Sequence, residues 1–442
     1  MVCAVHLSST QKDFEQKFKS LLSMKREQSA DVNQQVAALI EDVRTRGDQA
    51  LIDLTQRFDA LTLDVDQLRI SQDEINKATA DCPQNVLAAL DVAAARIQDF
   101  HARQKPEDNR FEDGAGVSLG HKWSAVDAAG LYVPGGTANY PSSVLMNAIP
   151  AKVAGVERLV MTVPTPNGEI NPLVLAAAQR AGVDEIYRVG GAQAVAAMAY
   201  GTQTIAPVNV IVGPGNAYVA AAKKQVFGQV GIDMIAGPSE ILIVADNQNN
   251  PDWIAIDLLS QAEHDAVAQS ILICDDAVFA KAVADAVDEH LKTLSRSDIA
   301  RKSWENFGAI IIVEDITRDA PDLVNKLAPE HLELAMEAPE AFANNIRHAG
   351  AIFLGRYTPE AIGDYIAGPN HVLPTARAAR YASGLSVLNF MKRTSLVACT
   401  PEALSEIGPM AVTLAEVEGL DAHLRSISIR LNATEPETER EA

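Results

Sequence analysis

The stretch Gly130-Leu131-Tyr132-Val133-Pro134-Gly135-Gly136 carries the reading of the fold. A short apolar run ends in a proline-glycine turn, and a longer apolar, alanine-containing segment at 142–155 follows it. The run has the length of a strand and the segment that of a helix, so together they read as strand, turn, helix. The order then repeats. Apolar runs at 158–163, 185–189, 209–212 and 231–235 alternate with helix candidates at 172–181, 192–200 and 216–227. Such alternation builds a parallel sheet with right-handed crossovers. With 131–133 included, five strands and an α/β domain are expected.

Downstream a second series has the same texture. Strand candidates at 240–244, 270–274, 309–313, 331–334 and 351–354 are separated by helix candidates such as 253–263 and 277–291. Two successive α/β units leave a cleft between them, the natural place for a site. Upstream, Val32, Val36, Leu39, Ile40, Val43, Leu51 and Leu54 recur at a spacing near 3.6, which predicts helix with a break at Gly47. A second helical stretch at 86–100 precedes a polar segment and short β-like pieces. After residue 380 an extended 385–390 leads to a helix opening at Thr400-Pro401, kinked or restarted at Pro409 and stopped at Gly419, with 427–431 strand-like. The organisation expected is a mainly helical region 1–129, α/β domains 130–238 and 239–380, and a C-terminal arm 381–442 that packs on a partner subunit.

Bulk properties narrow the function. A chain of 442 residues exceeds one ordinary core. Its 58 acidic against 37 basic residues give a formal charge of −21, which repels a nucleic-acid backbone. An anionic cofactor is still compatible, because glycine turns and helix N-termini bind phosphate locally. No stretch matches a membrane span or a secretory leader, so a cytoplasmic protein without membrane contact is expected. Cys3, Cys82, Cys274 and Cys399 are scattered and read as reduced thiols. The glutamate-rich residues 432–442 read as a solvated tail.

Several residues have the chemistry of a site. Gln261 and His264, three apart on a helix, share a face and can grip one ion, although a solvated edge is the commoner arrangement at that spacing. Asp364, after Gly363, is an ordinary turn aspartate or the carboxylate of a mixed N/O metal site. His423, just past Gly419, is by itself more often a charge near a helix C-terminus than a ligand. Glu330 and His331 lie between apolar flanks and can exchange protons near neutral pH. On a regular strand they would point to opposite faces, so a shared role requires a turn or helix start at Pro329. Glycine turns at 134–136, 190–191 and 213–215 follow candidate strands, where nucleotides bind parallel sheets, yet none matches GxGxxG.

In order along the chain, the turns at 130–136, 187–193 and 212–216, the Ile235-Ala236-Gly237-Pro238-Ser239-Glu240 segment, Leu259 to His264, Leu327 to His331, Ile362-Gly363-Asp364, Gly368 to Pro374 and Glu418 to His423 resemble the histidinol dehydrogenase family, over about residues 30–431. The resemblance implies two Rossmann-like domains of aldehyde-dehydrogenase-like architecture. It implies one zinc ion per subunit held by Gln261, His264, Asp364 and His423, with His423 supplied across a homodimer. It implies that Tyr132, Gln193 and Asn216 contact NAD. Ser239, Glu330, His331 and Glu418 then line the substrate pocket with the metal ligands.

The implied reaction is the last step of histidine biosynthesis, a four-electron oxidation of L-histidinol through histidinal. Each hydride transfer to NAD is accompanied by proton loss. His331 suits the general base and Glu330 the group that activates water. The metal holds the substrate's imidazole and amino nitrogens. No cysteine occupies these motifs, so a covalent thiohemiacetal lacks a nucleophile. The competing readings are a dehydrogenase of another small alcohol on the same scaffold, a zinc hydrolase in which Glu330 activates metal-bound water, and a non-catalytic binding protein. His121, His371 and Lys392 have no assigned role.

Overall fold

The computed structural model describes residues 4–24, 30–135, 141–235 and 237–432. Cys3, Gly136, Ala236 and the acidic tail after residue 432 lie outside them. In chain order the strands are β1 (Val5–Ser8), β2 (Asn109–Glu112), β3 (Ser118–Ala125), β4 (Ala128–Tyr132), β5 (Arg158–Thr162), β6 (Glu185–Tyr187), β7 (Val210–Val212), β8 (Gly231–Ile232), β9 (Glu240–Ala245), β10 (Gln269–Cys274), β11 (Ala309–Ile312), β12 (His331–Ala335), β13 (Ala351–Leu354) and β14 (Met391–Ala398).

The described chain forms two compact units. The first, up to Gln104 and from Val126 to Phe390, contains two parallel sheets, ordered β6-β5-β4-β7-β8 and β1-β11-β10-β9-β12-β13. The second, Lys105–Ala125 with the chain from Met391, contains the antiparallel sheet β14-β3-β2. Strands β9 and β10 are buried along their whole length, the pattern of parallel strands covered on both faces. Crossover helices of both parallel sheets start at clear caps. Asn216, Asn250 and Asp276 accept backbone N–H groups at the heads of Ala217–Val226, Pro251–Ala262 and Ala277–His290.

The five expected strands of the first sheet are β4 to β8, and the reversal of strand order beside β4 places the turns after β4 and β7 at the carboxyl-edge crevice. The amphipathic 32–58 segment is two helices, Ala30–Arg46 and Asp48–Asp59, whose Val36, Val43, Leu51 and Leu54 join the core over this sheet. Gly47 breaks them with a φ of 58°, where a Cβ would come within 2.2 Å of the Gln203 amide oxygen.

Four local readings need correction. The second sheet has six strands because β1, from the otherwise helical N-terminal region, pairs with β11. Residues 385–390 do not extend: Asn389 Oδ1 accepts the Ser386 N–H at 2.8 Å and closes a helical turn at Val387–Phe390, so β14 starts after it. The helix Pro401–Val417 runs through Pro409 without restarting. Residues 427–431 are helical within Asp421–Leu431, not strand. Ile427 and Leu431, four apart, both pack on Gly408, while Ile429 is exposed. Their alternation with Ile429 imitated a strand, but the packed pair has a helical spacing.

Candidate active site and metal centre

The candidate site is built at the amino end of the second sheet. The helix Ile316–Leu327 closes on Ala328 in the left-handed region, φ 48°, and Pro329 then leads to Glu330. Glu330 therefore precedes β12 and His331 is its first residue. The turn removes the obstacle of strand alternation, and both side chains meet Glu240. The Glu240 N–H donates to Glu330 Oε2 at 2.9 Å, and the His331 Nδ1–H donates to the Glu240 carbonyl at 2.9 Å. That bond fixes the neutral tautomer with a bare Nε2. His331 Nε2 is buried without a hydrogen-bond partner among the described residues, 3.6 Å from Glu360 Oε1.

The short helix Glu360–Tyr365 supplies Glu360 and Asp364 from one face, four residues apart. Ligand atoms of His331, Glu360 and Asp364 lie within 4.8 Å of one another. Asp364 was expected in a turn, and the structure puts it on this helix instead. Gly363 is what lets the helix approach β13, since a Cβ there would come within 2.5 Å of the Phe353 ring. The His371 Nδ1–H donates to the Asp364 carbonyl at 3.0 Å, and Ser143 Oγ lies 3.3 Å from Nε2. Ser143 lies on the helix Pro141–Ala154, which follows the β4 turn.

Gln261 sits in the last turn of Pro251–Ala262, fully buried, with its Oε1 unpartnered among the described residues. His264 comes just after the helix, its N–H on the Gln261 carbonyl at 3.2 Å, so the expected helical pair is a helix end and its following turn. The neighbouring Ser260 Oγ reaches Glu360 Oε2 at 3.4 Å. The His264 imidazole lies within electrostatic reach of His331 and His371. Ser239 immediately precedes β9, its carbonyl accepting the Gln269 N–H.

The electrostatics are those of crowded, buried acids. Burial holds Glu330 well above the usual carboxylate range, and the charges of Glu240, Asp364 and Glu360 push the same way against the Glu240 N–H bond. Burial, then Asp364, lifts Glu360 to about 9. Below them Glu333 is raised in the same way, and Asp257 is pushed up to about 6 by burial. Burial lowers His331 and His371, with Asp364 opposing. Among the described residues Gln261 Oε1 and Glu360 Oε1 are buried without a hydrogen-bond partner, and such oxygen donors amid this negative charge, with the His264 imidazole following Gln261, fit a divalent cation such as zinc, manganese or cobalt.

The expected cofactor residues gather at the carboxyl edge of the first sheet. Tyr132 ends β4, buried, with its hydroxyl accepting the Gly191 N–H at 3.2 Å and its pKa pushed by burial to about 12. Gln193 is buried in the first turn of Gly191–Tyr200, and Asn216 caps Ala217–Val226. Gly213, φ 112°, is so close to β4 that a Cβ would lie 2.2 Å from the Tyr132 carbonyl oxygen. Glu418 and His423 belong to the second unit, where both are exposed on its helical pair.

Sequence reading overlooked Glu240, Glu333 and Glu360. The available signals were a glutamate inside the apolar run His331-Leu332-Glu333-Leu334 and one four residues before Asp364.

Comparison with known proteins agrees with this geometry. Residues 22–431 match the family model for histidinol dehydrogenase. The histidinol dehydrogenase of Rhodospirillum rubrum is 66% identical over 428 residues, covering 97% of this chain and 99% of that protein. That of Agrobacterium fabrum is 62% identical over 429 residues, with 97% and 99% covered. The crystal structure of histidinol dehydrogenase from Elizabethkingia anophelis superposes with a TM-score of 0.92 at 37% identity, covering 97% of this chain and 98% of that one. The chain belongs to the histidinol dehydrogenase family.

Proposed function

We propose that this chain oxidises L-histidinol to L-histidine with two NAD, using Glu330 and His331 as its proton-transfer groups. The observation that carries the reading is His331 itself: Nδ1–H is bonded to the Glu240 carbonyl, and the buried Nε2 is left bare beside a cluster of carboxylates. His331 Nε2 takes the hydroxyl proton as the first hydride leaves the carbinol carbon. Glu330 accepts a proton from the water that adds to the aldehyde, and its raised pKa suits it to that exchange. His331 returns its first proton to the former carbonyl oxygen, completing the hydrate, and then takes a hydroxyl proton of the hydrate as the second hydride leaves, giving the carboxylic acid. NAD, as co-substrate, accepts both hydrides, and Tyr132, Gln193 and Asn216 are the residues proposed to contact it.

Gln261, His264 and Asp364 are proposed to hold a zinc ion together with His423 of the partner subunit, one ion per subunit. Bound there, the ion would fix the imidazole and amino nitrogens of the substrate. Ser239 and Glu418 complete the proposed pocket. The homodimer is supported by the exposed apolar side chains Met410, Leu414, Val417 and Ile429 on the two C-terminal helices, a surface that calls for a partner. No helix among the described residues is long and apolar enough to cross a membrane, and a cytoplasmic location is proposed with it. Product analysis tests the reading. Purified protein with NAD should convert histidinol to histidine, and accumulation of histidinal as end product, or no conversion, would refute it.

A further inference from the structure

We infer that Glu240 is a positioning residue for this oxidation: its buried side chain, tied to the backbone of Ala376, holds the start of β9 so that the Glu240 peptide groups aim both Glu330 and His331. The inference rests on the roles proposed above for those two residues. Three groups of one residue converge. The Glu240 N–H donates to Glu330 Oε2 at 2.9 Å, its carbonyl accepts the His331 Nδ1–H at 2.9 Å, and its Oε1 accepts the Ala376 N–H at 3.1 Å.

The sheet alone leaves this point under-determined. Glu240 is the first residue of β9, in register with Gln269 of β10, and the β12 ladder begins one residue later, at Ile241 opposite His331. A strand end frays unless tied, and two ties to one loop are present here. The Gly237 N–H donates to Thr375 Oγ1 at 2.5 Å, and the Ala376 N–H is taken by Glu240. The loop has its own strain. Ala376 and Arg377 are both left-handed, φ 52° and 64°, a conformation side chains other than glycine rarely adopt and that persists only where neighbours enforce it. Arg377 is also attracted by the Glu240 charge.

A carboxylate at this position repels the charge of Glu330, so its placement is explained by what its oxygen holds. An acceptor oxygen at that reach is the essential property, and the charge is not. Glu240→Gln keeps the acceptor and removes the charge. Glu240→Asp keeps the charge and draws the acceptor back by one methylene.

The test is steady-state kinetics of the full-length protein and both variants with histidinol and NAD. Glu240→Gln is expected to stay within about 3-fold of wild-type kcat, whereas Glu240→Asp should fall on the order of 10²-fold, as ångström-scale misplacement of reacting groups does, with both KM values within a few-fold. Equal activities in the two variants, the reverse order, or an effect confined to KM would overturn the inference. Should Glu240→Asp not fold, Thr375→Val, which removes the companion tie, decides it: a lower kcat at unchanged KM supports the inference and an unchanged kcat refutes it. A wild-type protein inactive on histidinol would sink the functional reading, and this inference with it. An active wild type with undisturbed variants would sink this inference alone.

Discussion

Removing the ammonium of Lys223 should destabilise the first sheet strongly and do so through one glycine. Lys223 and Asp233 form an ion pair with side chains only 3% and 0% exposed. Lys223 Nζ donates to the Gly213 carbonyl at 2.9 Å, and Asp233 Oδ2 accepts the Gly213 N–H at 2.8 Å. The pair thus grips both peptide groups of the residue that turns the chain from β7 toward Asn216. Lys223→Met leaves a buried carboxylate without its counter-ion, a loss of about 3–5 kcal/mol. At about 2–4 °C per kcal/mol for a large domain, the midpoint should drop by roughly 6–20 °C. The double variant Lys223→Met, Asp233→Asn removes both charges and should recover much of that loss, because most of the cost lies in the orphaned partner. The assay is thermal unfolding at one fixed scan rate, with KM for NAD measured alongside. A raised KM in the single variant is expected from the freed turn. A single variant within 1 °C of wild type, or a double variant no more stable than Lys223→Met alone, would refute the reasoning.

Three further outcomes follow from the geometry. His331→Gln should lower kcat by about 10²–10⁴-fold while leaving metal content intact, since it removes the base without touching the proposed ligands, and unchanged turnover would exclude His331 as the base. Gly363→Ala forces a Cβ toward the Phe353 ring, so a loss of about 1–3 kcal/mol and weaker metal retention are expected as Glu360 and Asp364 shift; unchanged midpoint and metal content would contradict this. His101 is buried with Nδ1 on the Ile97 carbonyl at 2.7 Å, and burial lowers its pKa below the ordinary 6.5. The unfolded chain therefore binds a proton there that the folded chain refuses, and stability falls as pH drops below about 6.5 through the lower folded value. His101→Asn should flatten the fall in midpoint between pH 7 and 5, and an identical slope would contradict it.

The parts legible in the sequence were those decided locally. Strands β4, β6 and β7 are apolar runs closed by glycine turns, and both the period of Val36 to Leu54 and the break at Gly47 are set by neighbouring residues. What was hidden depends on distant partners. β1 buries only Leu7 of its four residues, and it becomes a strand by pairing with β11 at the sheet edge. Ile427 to Leu431 carry a strand-like alternation, and only the packing on Gly408 selects the helix.

The site divides along the same line. Glu330 and His331 were visible as neighbours with proton-transfer chemistry, but their common direction comes from the left-handed Ala328 and from Glu240, which is brought in by β9. Glu360 was visible only as a glutamate four residues before Asp364. Its inward position depends on the contact Gly363 permits with Phe353. Burial of Glu333, Asp257 and His371, which shapes the protonation of the whole cluster, depends on the second sheet being covered and has no local signature.

The central claim is a four-electron oxidation driven by one set of proton-transfer groups, and the stoichiometry of NADH to histidinol tests it most directly. With limiting histidinol and excess NAD, absorbance at completion should correspond to about two NADH per histidinol, with histidine as the only imidazole product. One NADH per histidinol with free histidinal, or substrate consumption without NADH, would contradict the account.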